Sequence, residues 1–219
     1  MKTTRPYASD LRAQAAASTR QRIIEAASQL LREEWYEDVT LAGIAKAAGV
    51  SHQTVLNHFE SKEGVARAVA DVMGSATGRR RDRAVPGDVD GAIHVLVGEY
   101  EDYGDANVRW AVSADRLGSL AELLDGARAT HQGWLEHIFG DALPTAGPAR
   151  RRAVDALHAA TDVYTWKLLR RDLRRSRPAT ERAMADLVRG VLAGHRSDGP
   201  TTTHPPTDHT TTTQPREGR

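Results

Sequence analysis

The sequence predicts an all-α protein, and three observations support that fold class. Alanine, leucine, arginine and glutamate, which all favour helices, are abundant. Apolar residues recur at helical spacing in several segments. The alternation of apolar and polar residues that marks β-strands is scarce. We therefore expect a small N-terminal three-helix domain and a larger C-terminal helical bundle within a chain of 219 residues.

Composition and charge exclude several classes of protein. Cysteine is absent, which rules out a disulfide framework and a thiolate metal site. No apolar run approaches the roughly 20 residues that span a bilayer, and the N-terminus lacks the pattern of a secretory signal. The net charge of +1 means that any nucleic-acid surface must come from local clustering of basic groups. The expectation is a soluble, cytoplasmic protein without a membrane partner.

The first predicted helix follows a flexible basic arm. Residues 1–17 are polar and basic and are assigned to this arm, whose cationic side chains could add phosphate contacts. The helix covers about residues 18–34, where Ile23 and Ala27 share one face. It opens a domain that we place at residues 18–60.

Residues 40–59, TLAGIAKAAGVSHQTVLNHF, carry the pattern of two short helices that cross at a steep angle. Ala45 is small enough for the helices to touch, and Gly49 tolerates a left-handed turn between them. Thr40 and Ser51 are predicted N-caps. Apolar anchors lie under both helices at Ile44, Ala48, Val50 and Val55. This pattern predicts a helix-turn-helix whose second helix enters the major groove of DNA.

Polar side chains at the start and along one side of the second helix are the candidate DNA contacts. Glutamine and asparagine can each form two hydrogen bonds with adenine, and threonine can pack on a thymine methyl group. A helix N-terminus favours phosphate, as do nearby lysines. The residue at position 58 either contacts DNA or serves the structure of the domain. The candidates are Lys46, Ser51, His52, Gln53, Thr54, Asn57, His58 and Lys62.

The segment from about residue 22 to residue 65 resembles the N-terminal domain of TetR-family (TetR/AcrR-like) transcriptional regulators. The resemblance implies that Thr40 and Ala42 contact DNA in addition to the side chains of the second helix. The chain departs from the family at Leu56, where tyrosine is usual, and at Gln53, where glycine or proline is usual. The residues that carry the resemblance are Arg22-Ile23-Ile24, Ala26-Ala27, Thr40, Ile44-Ala45, Ala48-Gly49-Val50-Ser51, Thr54-Val55, His58-Phe59 and Ser61-Lys62-Glu63.

The remainder of the chain is predicted to be helical over residues 61–196. Residues 77–88 are expected to form a charged linker, and the run at 79–83 is either solvated or a second DNA-contacting patch. Residues 197–219 are rich in Thr, Pro and His, and are predicted to be a disordered tail because they can bury little apolar surface. The predicted helices cover about 62–75, 89–103, 106–114, 117–140, 148–175 and 178–195.

The resemblance implies that residues 61–196 form a ligand-sensing and dimerisation domain. It implies a small-molecule effector among the middle helices and a homodimer formed through the last two long helices. A small-residue face at Ala156, Ala160 and Val163 either packs across a two-fold axis or is buried within one subunit. Aromatic and polar residues are the candidate pocket lining, although the same residue types also build plain core. These candidates are Tyr100, Tyr103, Trp110, His131, Trp134, His158, Thr161 and Thr165.

The function expected from these features is that of a homodimeric repressor that binds a double-stranded DNA operator and is released by its effector. An activator is an alternative, as is a helical dimeric binding protein that has lost operator recognition, which Leu56 favours. No Gly-rich phosphate loop, HExxH or GxSxG motif occurs, so we expect no enzyme activity and no cofactor. We also expect no metal site, because the tail histidines at 204 and 209 have no fixed geometry.

Overall fold

The computed structural model describes residues 5–196, which are helical and contain no β-strand. The predicted all-α fold class is confirmed. A 3-10 turn (Gly140–Ala142) follows the sixth helix, and a π-helical segment (Leu168–Asp172) follows the eighth. The helices are α1 (Arg5–Glu33), α2 (Leu41–Ala48), α3 (His52–Phe59), α4 (Lys62–Arg81), α5 (Val89–Arg116), α6 (Gly118–Phe139), α7 (Gly147–Thr161), α8 (Val163–Lys167) and α9 (Arg177–Arg196).

Helix α1 begins earlier than the sequence suggested. We expected an arm at residues 1–17, but the helix already starts at Arg5, so most of the predicted arm is the first half of α1. Residues 10–18 are exposed and rich in alanine, the strongest helix former, so intrinsic propensity rather than packing accounts for this half. Residues 1–4 of the predicted arm and the predicted tail at 197–219 lie outside the described residues.

The two short helices form as the motif predicts. The Thr40 hydroxyl accepts a hydrogen bond from the Gly43 backbone N–H at 3.0 Å and caps α2. The Ser51 hydroxyl accepts one from the Thr54 backbone N–H at 3.0 Å and caps α3. Gly49 lies between the helices with φ 65°, the left-handed conformation that favours glycine. Both predicted N-caps and the predicted glycine turn are therefore confirmed.

Helix α4 continues through half of the predicted linker. It was expected to end near residue 75, yet it extends to Arg81. The reason lies in its last turn, where Arg81 is buried in an ion pair with Glu99 of α5. Only residues 82–88 connect α4 to α5.

The bundle helices differ from the sequence pattern in two further ways. The helices predicted at 89–103 and 106–114 are the single helix α5, in which Gly104 lies against the ring of Trp166 with no room for a Cβ atom. The helix predicted at 148–175 is instead broken at Asp162, whose ψ is 152°. The Asp162 carboxylate accepts a hydrogen bond from the Tyr164 backbone N–H at 2.8 Å and so restarts the chain as α8.

The helices enclose two hydrophobic cores. The N-terminal core is formed by α1–α4 together with parts of α5 and α6, and Trp110 packs against it from α5. The C-terminal core is formed by α5–α9 and centres on side chains such as Leu157, Trp166 and Met184, which are fully buried. Helices α4, α5 and α6 therefore connect the two cores. Between residues 5 and 196, no helix is long and apolar enough to cross a bilayer.

Candidate nucleic-acid interface and sensing core

Helix α3 buries its apolar side and exposes its polar side. Val55 and Phe59 are buried in the N-terminal core, whereas His52, Gln53 and Asn57 are exposed. The Gln53 side-chain amide donates a hydrogen bond to the Asn57 carbonyl oxygen at 2.9 Å. This bond does not use the side-chain carbonyl oxygen of Gln53 or the side-chain NH2 group of Asn57. The two groups lie on adjacent turns of the exposed face of α3. An acceptor beside a donor is the pattern that pairs with the edge of adenine in the major groove.

The start of α3 presents backbone donors and two hydroxyls to solvent. The hydroxyl oxygens of Ser51 and Thr54 lie 2.8 Å apart. Ser51 is exposed and Thr54 is half-buried, so the cap leaves the first turn of the helix accessible. Such a helix start carries unpaired N–H groups and a positive partial charge, and it can bind phosphate.

Helix α2 contributes a second exposed edge. Thr40, Ala42 and Lys46 are all exposed. The Thr40 hydroxyl is engaged in capping α2, whereas Lys46 in the last turn can reach toward a bound polyanion. These three residues therefore lie on the outer edge of the α2–α3 pair.

Lys62 and His58 have interactions within the domain. The Lys62 ammonium donates a hydrogen bond to the Glu37 carbonyl oxygen at 3.3 Å and lies 4.2 Å from the centre of the Tyr36 ring. Desolvation by burial lowers the pKa of Lys62 below its ordinary value. His58 is half-buried, with its ring centre 6.2 Å from that of Phe59. An ammonium group has three N–H donors, so Lys62 retains donors for a phosphate beyond the one bonded to Glu37.

Arg20 of α1 lies at the end of α3. Its guanidinium is 5.0 Å from the centre of the Phe59 ring, and the side chain remains exposed. Arg12 and Arg22 on the same helix are also exposed. Arg20 therefore places a positive charge at the C-terminal end of α3.

The sequence of this region matches a known family model. Residues 23–69 match the model described as "Bacterial regulatory proteins, tetR family". The N-terminal domain is therefore similar to this family over residues 23–69. The match covers both short helices, the start of α4 and most of the N-terminal core.

A curated relative matches the same part of the chain. It is the "HTH-type transcriptional regulator AlkX" of Mycobacterium tuberculosis (strain ATCC 25618 / H37Rv), 37% identical over 65 residues. This match covers 30% of the present chain and 29% of the relative, so the chain spans less than a third of that protein's length in the alignment.

Solved structures resemble most of the chain in fold. Salmonella enterica GusR superimposes with a TM-score of 0.65 at 21% identity, covering 88% of this chain and 100% of that one. A TetR-family transcriptional regulator from Streptomyces coelicolor gives a TM-score of 0.62 at 21% identity, covering 84% and 92%. At this identity, the likeness shows a shared fold: a helix-turn-helix domain followed by a helical bundle.

Five of the candidate pocket residues converge within the C-terminal bundle. The His131 ring stacks on Trp134 at 5.9 Å between ring centres and meets the edge of His158 at 4.9 Å. The Tyr100 hydroxyl donates a hydrogen bond to the Thr161 carbonyl oxygen at 3.0 Å. These side chains come from α5, α6 and α7 and meet in one region of the bundle.

The other three candidates lie elsewhere. Trp110 packs against the N-terminal core, with its ring centre 6.0 Å from that of Tyr36. Tyr103 lies under the guanidinium of Arg32 at 4.4 Å. The Thr165 hydroxyl donates a hydrogen bond to the Ala159 carbonyl oxygen at 2.6 Å, across the break between α7 and α8. The structure thus does not bring these three side chains to the His131 region.

The centre of the His131 region is an ion pair that sequence reasoning missed. The Arg81 guanidinium donates to both oxygens of Glu99, at 2.8 and 3.0 Å. Arg81 is 8% exposed and Glu99 4%, so the pair is shielded from water. The sequence predicts a linker here, with the run at 79–83 either solvated or in contact with DNA, and the burial of Arg81 agrees with neither. The available signal was Glu99, a carboxylate on the same helical stripe as the apolar Leu96 and Ala92.

The hydrogen bonds around His131 define its protonation. Its Nδ1 lies 3.0 Å from an Arg81 nitrogen, which can only donate, so Nδ1 is an acceptor. Its Nε2 then carries the proton and donates to the Thr161 hydroxyl at 2.9 Å, and that hydroxyl donates to the Leu157 carbonyl oxygen at 2.7 Å. Burial, together with the neighbouring Arg81, lowers the pKa of His131 to about 3. The ring is therefore neutral at physiological pH.

An open cleft lies on the surface next to this network. It has a volume of about 420 Å³ and lies between α6 and α7. Of the candidate pocket residues, only His158 contributes to its lining, with Nε2 3.4 Å from a carboxylate oxygen of Asp162. The cleft is lined by Arg128, Gln132, Asp155, His158, Ala159 and Asp162.

Large apolar side chains are exposed on α8, the π-helical segment and α9. On α9, Leu187 is 49% exposed. Of the predicted small-residue face, Ala160 is buried within the chain, whereas Ala156 and Val163 are half-buried. The exposed apolar residues of this end of the chain are Tyr164, Leu168, Leu173 and Leu187.

Proposed function

We propose that this protein is a sequence-specific DNA-binding transcription regulator that acts as a homodimer in the cytoplasm. The observation that carries the proposal is α3, which the TetR-like N-terminal domain fixes by its buried side while its amide-bearing side faces outward. A recognition helix in the major groove needs this combination of rigid support and exposed hydrogen-bonding groups.

In this proposal, the residues divide into base-reading and backbone-contacting groups. Gln53 and Asn57 read bases as a coupled pair of amides, and Thr54 packs beside them. The start of α3, with Ser51 and His52, binds one phosphate of the DNA backbone. Cationic side chains bind the neighbouring phosphates. Thr40, Ala42, Lys46, His58, Lys62 and Arg20 complete the proposed contacts.

The proposed dimer forms through the apolar surface of α8, the π-helical segment and α9. Burying Leu168, Leu173 and Leu187 against the same residues of a second copy would remove their apolar area from water. A two-fold arrangement pairs identical surfaces and would place two copies of α3 on successive turns of the DNA.

Effector release is the proposed means of control. A ligand that binds better to a conformation unable to hold DNA would lower occupancy of the operator. Tyr100, His131, Trp134, His158 and Thr161 are the proposed contacts, since they converge in the bundle. The protein is a repressor if it blocks transcription when it is bound to the operator. An activator would differ only in the position of the operator.

A gel-shift with the DNA that flanks the gene tests the proposal. Gln53→Ala/Asn57→Ala should weaken specific binding at least about tenfold, because lost base contacts each discriminate by about 1–3 kcal/mol. The matched control is Gln29→Ala/Glu33→Ala, which removes an exposed i,i+4 hydrogen-bonded pair, here an amide with a carboxylate, from the far end of α1. It should bind like the wild type.

The same assay separates the second candidate function. Leu56 supplies no hydroxyl for phosphate, which favours a dimeric binding protein that has lost its operator. In that case, a pool of random DNA yields no enriched sequence, and the double variant binds as weakly as the wild type.

A further inference from the structure

We infer that Arg81 is a positioning residue that fixes the orientation of the DNA-binding domain relative to the C-terminal core. The consequence for DNA affinity rests on the proposed function, whereas the orientation itself does not. Helix α4 directly follows the helix-turn-helix in the chain.

Helix α4 belongs to both parts of the molecule. Val65, Ala66 and Val69 of its first half are buried in the N-terminal core and hold it to α1–α3. Its last turn ends in Arg81, which is buried among residues of the C-terminal bundle. A helix transmits displacement along its length because its backbone is continuously hydrogen-bonded. The position of the Arg81 end is therefore one determinant of where the helix-turn-helix lies, beside the contacts of α5 and α6 with the N-terminal core.

Arg81 contacts three groups that belong to two other helices. Its guanidinium donates to both carboxylate oxygens of Glu99 on α5, and to Nδ1 of His131 on α6. It also lies 5.2 Å from the centre of the Trp134 ring, on α6. Because the planar guanidinium can satisfy these partners in one orientation only, the contacts fix both the distance and the rotation of the end of α4.

The network continues to the break between α7 and α8. His131 donates to the hydroxyl of Thr161, the last residue of α7, and Tyr100 donates to the Thr161 carbonyl oxygen. The next residue is Asp162, where the chain turns into α8. One chain of hydrogen bonds thus runs from the end of α4 to the break between α7 and α8. This break lies beside the exposed apolar surface of α8 and α9.

The neighbouring Arg80 provides a matched comparison. It donates to the Gly98 carbonyl oxygen at 3.0 Å and to Asp102 at 2.6 Å, also on α5. Its ion pair is exposed, with side-chain exposures of 34% and 49%, so water and salt screen it. Arg81 and Arg80 hold the same two helices, but only Arg81 does so inside the core.

The test measures the orientation directly. The natural chain has no cysteine, so two introduced cysteines carry the only spin labels. Suitable positions are Ala47 on α2 and His137 on α6, both exposed. Labelled protein is diluted with unlabelled protein, so that the distance recorded by pulsed electron paramagnetic resonance lies within one chain.

The main variant is Arg81→Met/Glu99→Met, which replaces the buried pair with apolar side chains and avoids leaving one charge alone in the core. We expect a broadened or displaced distance distribution in a protein that still unfolds cooperatively. Arg80→Met should give the wild-type distribution. A double variant whose distribution superimposes on that of the wild type would overturn the inference.

DNA affinity is the second readout. With the active fraction determined by stoichiometric titration, the double variant should bind the operator roughly tenfold differently from the wild type, a typical size for coupling between sites. Arg80→Met should bind within about twofold of the wild type. If the wild type binds no specific DNA, the proposed function fails, while the distance measurement still decides whether Arg81 positions the domain.

Discussion

The two cores of this protein place their polar groups in opposite ways. In the N-terminal core, Ile23, Ile44 and Val55 form an apolar interior, and the hydrogen-bonding side chains of α3 lie outside it. In the C-terminal bundle, Arg81 and Glu99 lie near the centre with their charges paired. The first arrangement gives a rigid support for contacts with an outside partner. The second makes the relative position of several helices depend on directional bonds.

Removing one charge of the buried pair should have the largest effect on stability. Glu99→Ala leaves the Arg81 guanidinium without its carboxylate inside the core, at an expected cost of about 3–5 kcal/mol in the free energy of unfolding. Arg81→Met/Glu99→Met should cost much less, because no charge is left unpaired. Denaturant unfolding of both variants measures the difference, and equal losses would show that the pair contributes only packing.

An apolar deletion in the other core gives the contrasting case. Ile44 is 1% exposed, and Ile44→Ala should lower the free energy of unfolding by about 2–4 kcal/mol through lost burial and a residual cavity. Since no titratable group is involved, the loss should be the same at pH 5 and pH 7.5. Urea unfolding at the two pH values measures it, and a pH-dependent loss would mean that the two cores are less distinct than described.

The buried histidine should make stability depend on pH in a defined window. His131 has a pKa lowered to about 3 in the folded chain, whereas the unfolded chain protonates it near its ordinary pKa of 6.5. Below pH 6.5, the unfolded state therefore binds one more proton than the folded state, and stability falls as pH falls. The slope should approach about 1.4 kcal/mol per pH unit near pH 5.

The control for this prediction is His131→Gln. Glutamine can accept from Arg81 and donate to Thr161 but does not titrate, so the variant should show a flatter dependence between pH 6.5 and 5. Carboxylates such as Glu101, whose pKa is lowered mainly by its hydrogen bond with Arg170, lose their stabilising effect at lower pH. A slope unchanged in the variant would assign the effect to other groups.

The smallest expected effect is at the cap of α3. Ser51→Ala removes the hydrogen bond to the Thr54 backbone N–H and should lower the free energy of unfolding by about 1 kcal/mol. Ser51→Asp keeps an acceptor at the cap and should restore most of the stability. Thermal unfolding separates the two variants, and equal melting temperatures would exclude the hydrogen bond as the source.

The sequence predicted the N-terminal domain better than the bundle, and the reason is physical. The caps at Thr40 and Ser51 and the turn at Gly49 are local, since each depends on residues a few positions away. The Arg81–Glu99 pair joins residues 18 positions apart, and the contact with His131 joins residues 50 apart. Such contacts depend on how the helices pack, which helical periodicity does not specify.

The same limit explains the other differences. A run of arginines looks solvated in sequence, and only the neighbouring helix shows that Arg81 is buried. Trp110 and Tyr103 have the residue types of a pocket, but α5 carries them to the N-terminal domain, where Trp110 meets Tyr36 and Tyr103 meets Arg32. The early start of α1 has a different cause, because here the relevant signal was local. The alanine content of this segment favours a helix, whereas its basic charge and terminal position favoured the prediction of an arm.

The four tryptophans give this molecule a built-in set of optical reporters. Trp110 lies against the N-terminal core, Trp134 beside the buried ion pair, and Trp166 is fully enclosed in the C-terminal core, while Trp35 is 41% exposed. Replacing all but one of them with phenylalanine yields a chain whose fluorescence comes from one chosen place. A red shift in the fluorescence emission of Trp110 or Trp166 during unfolding would then show when the corresponding core becomes exposed to water, without any added dye.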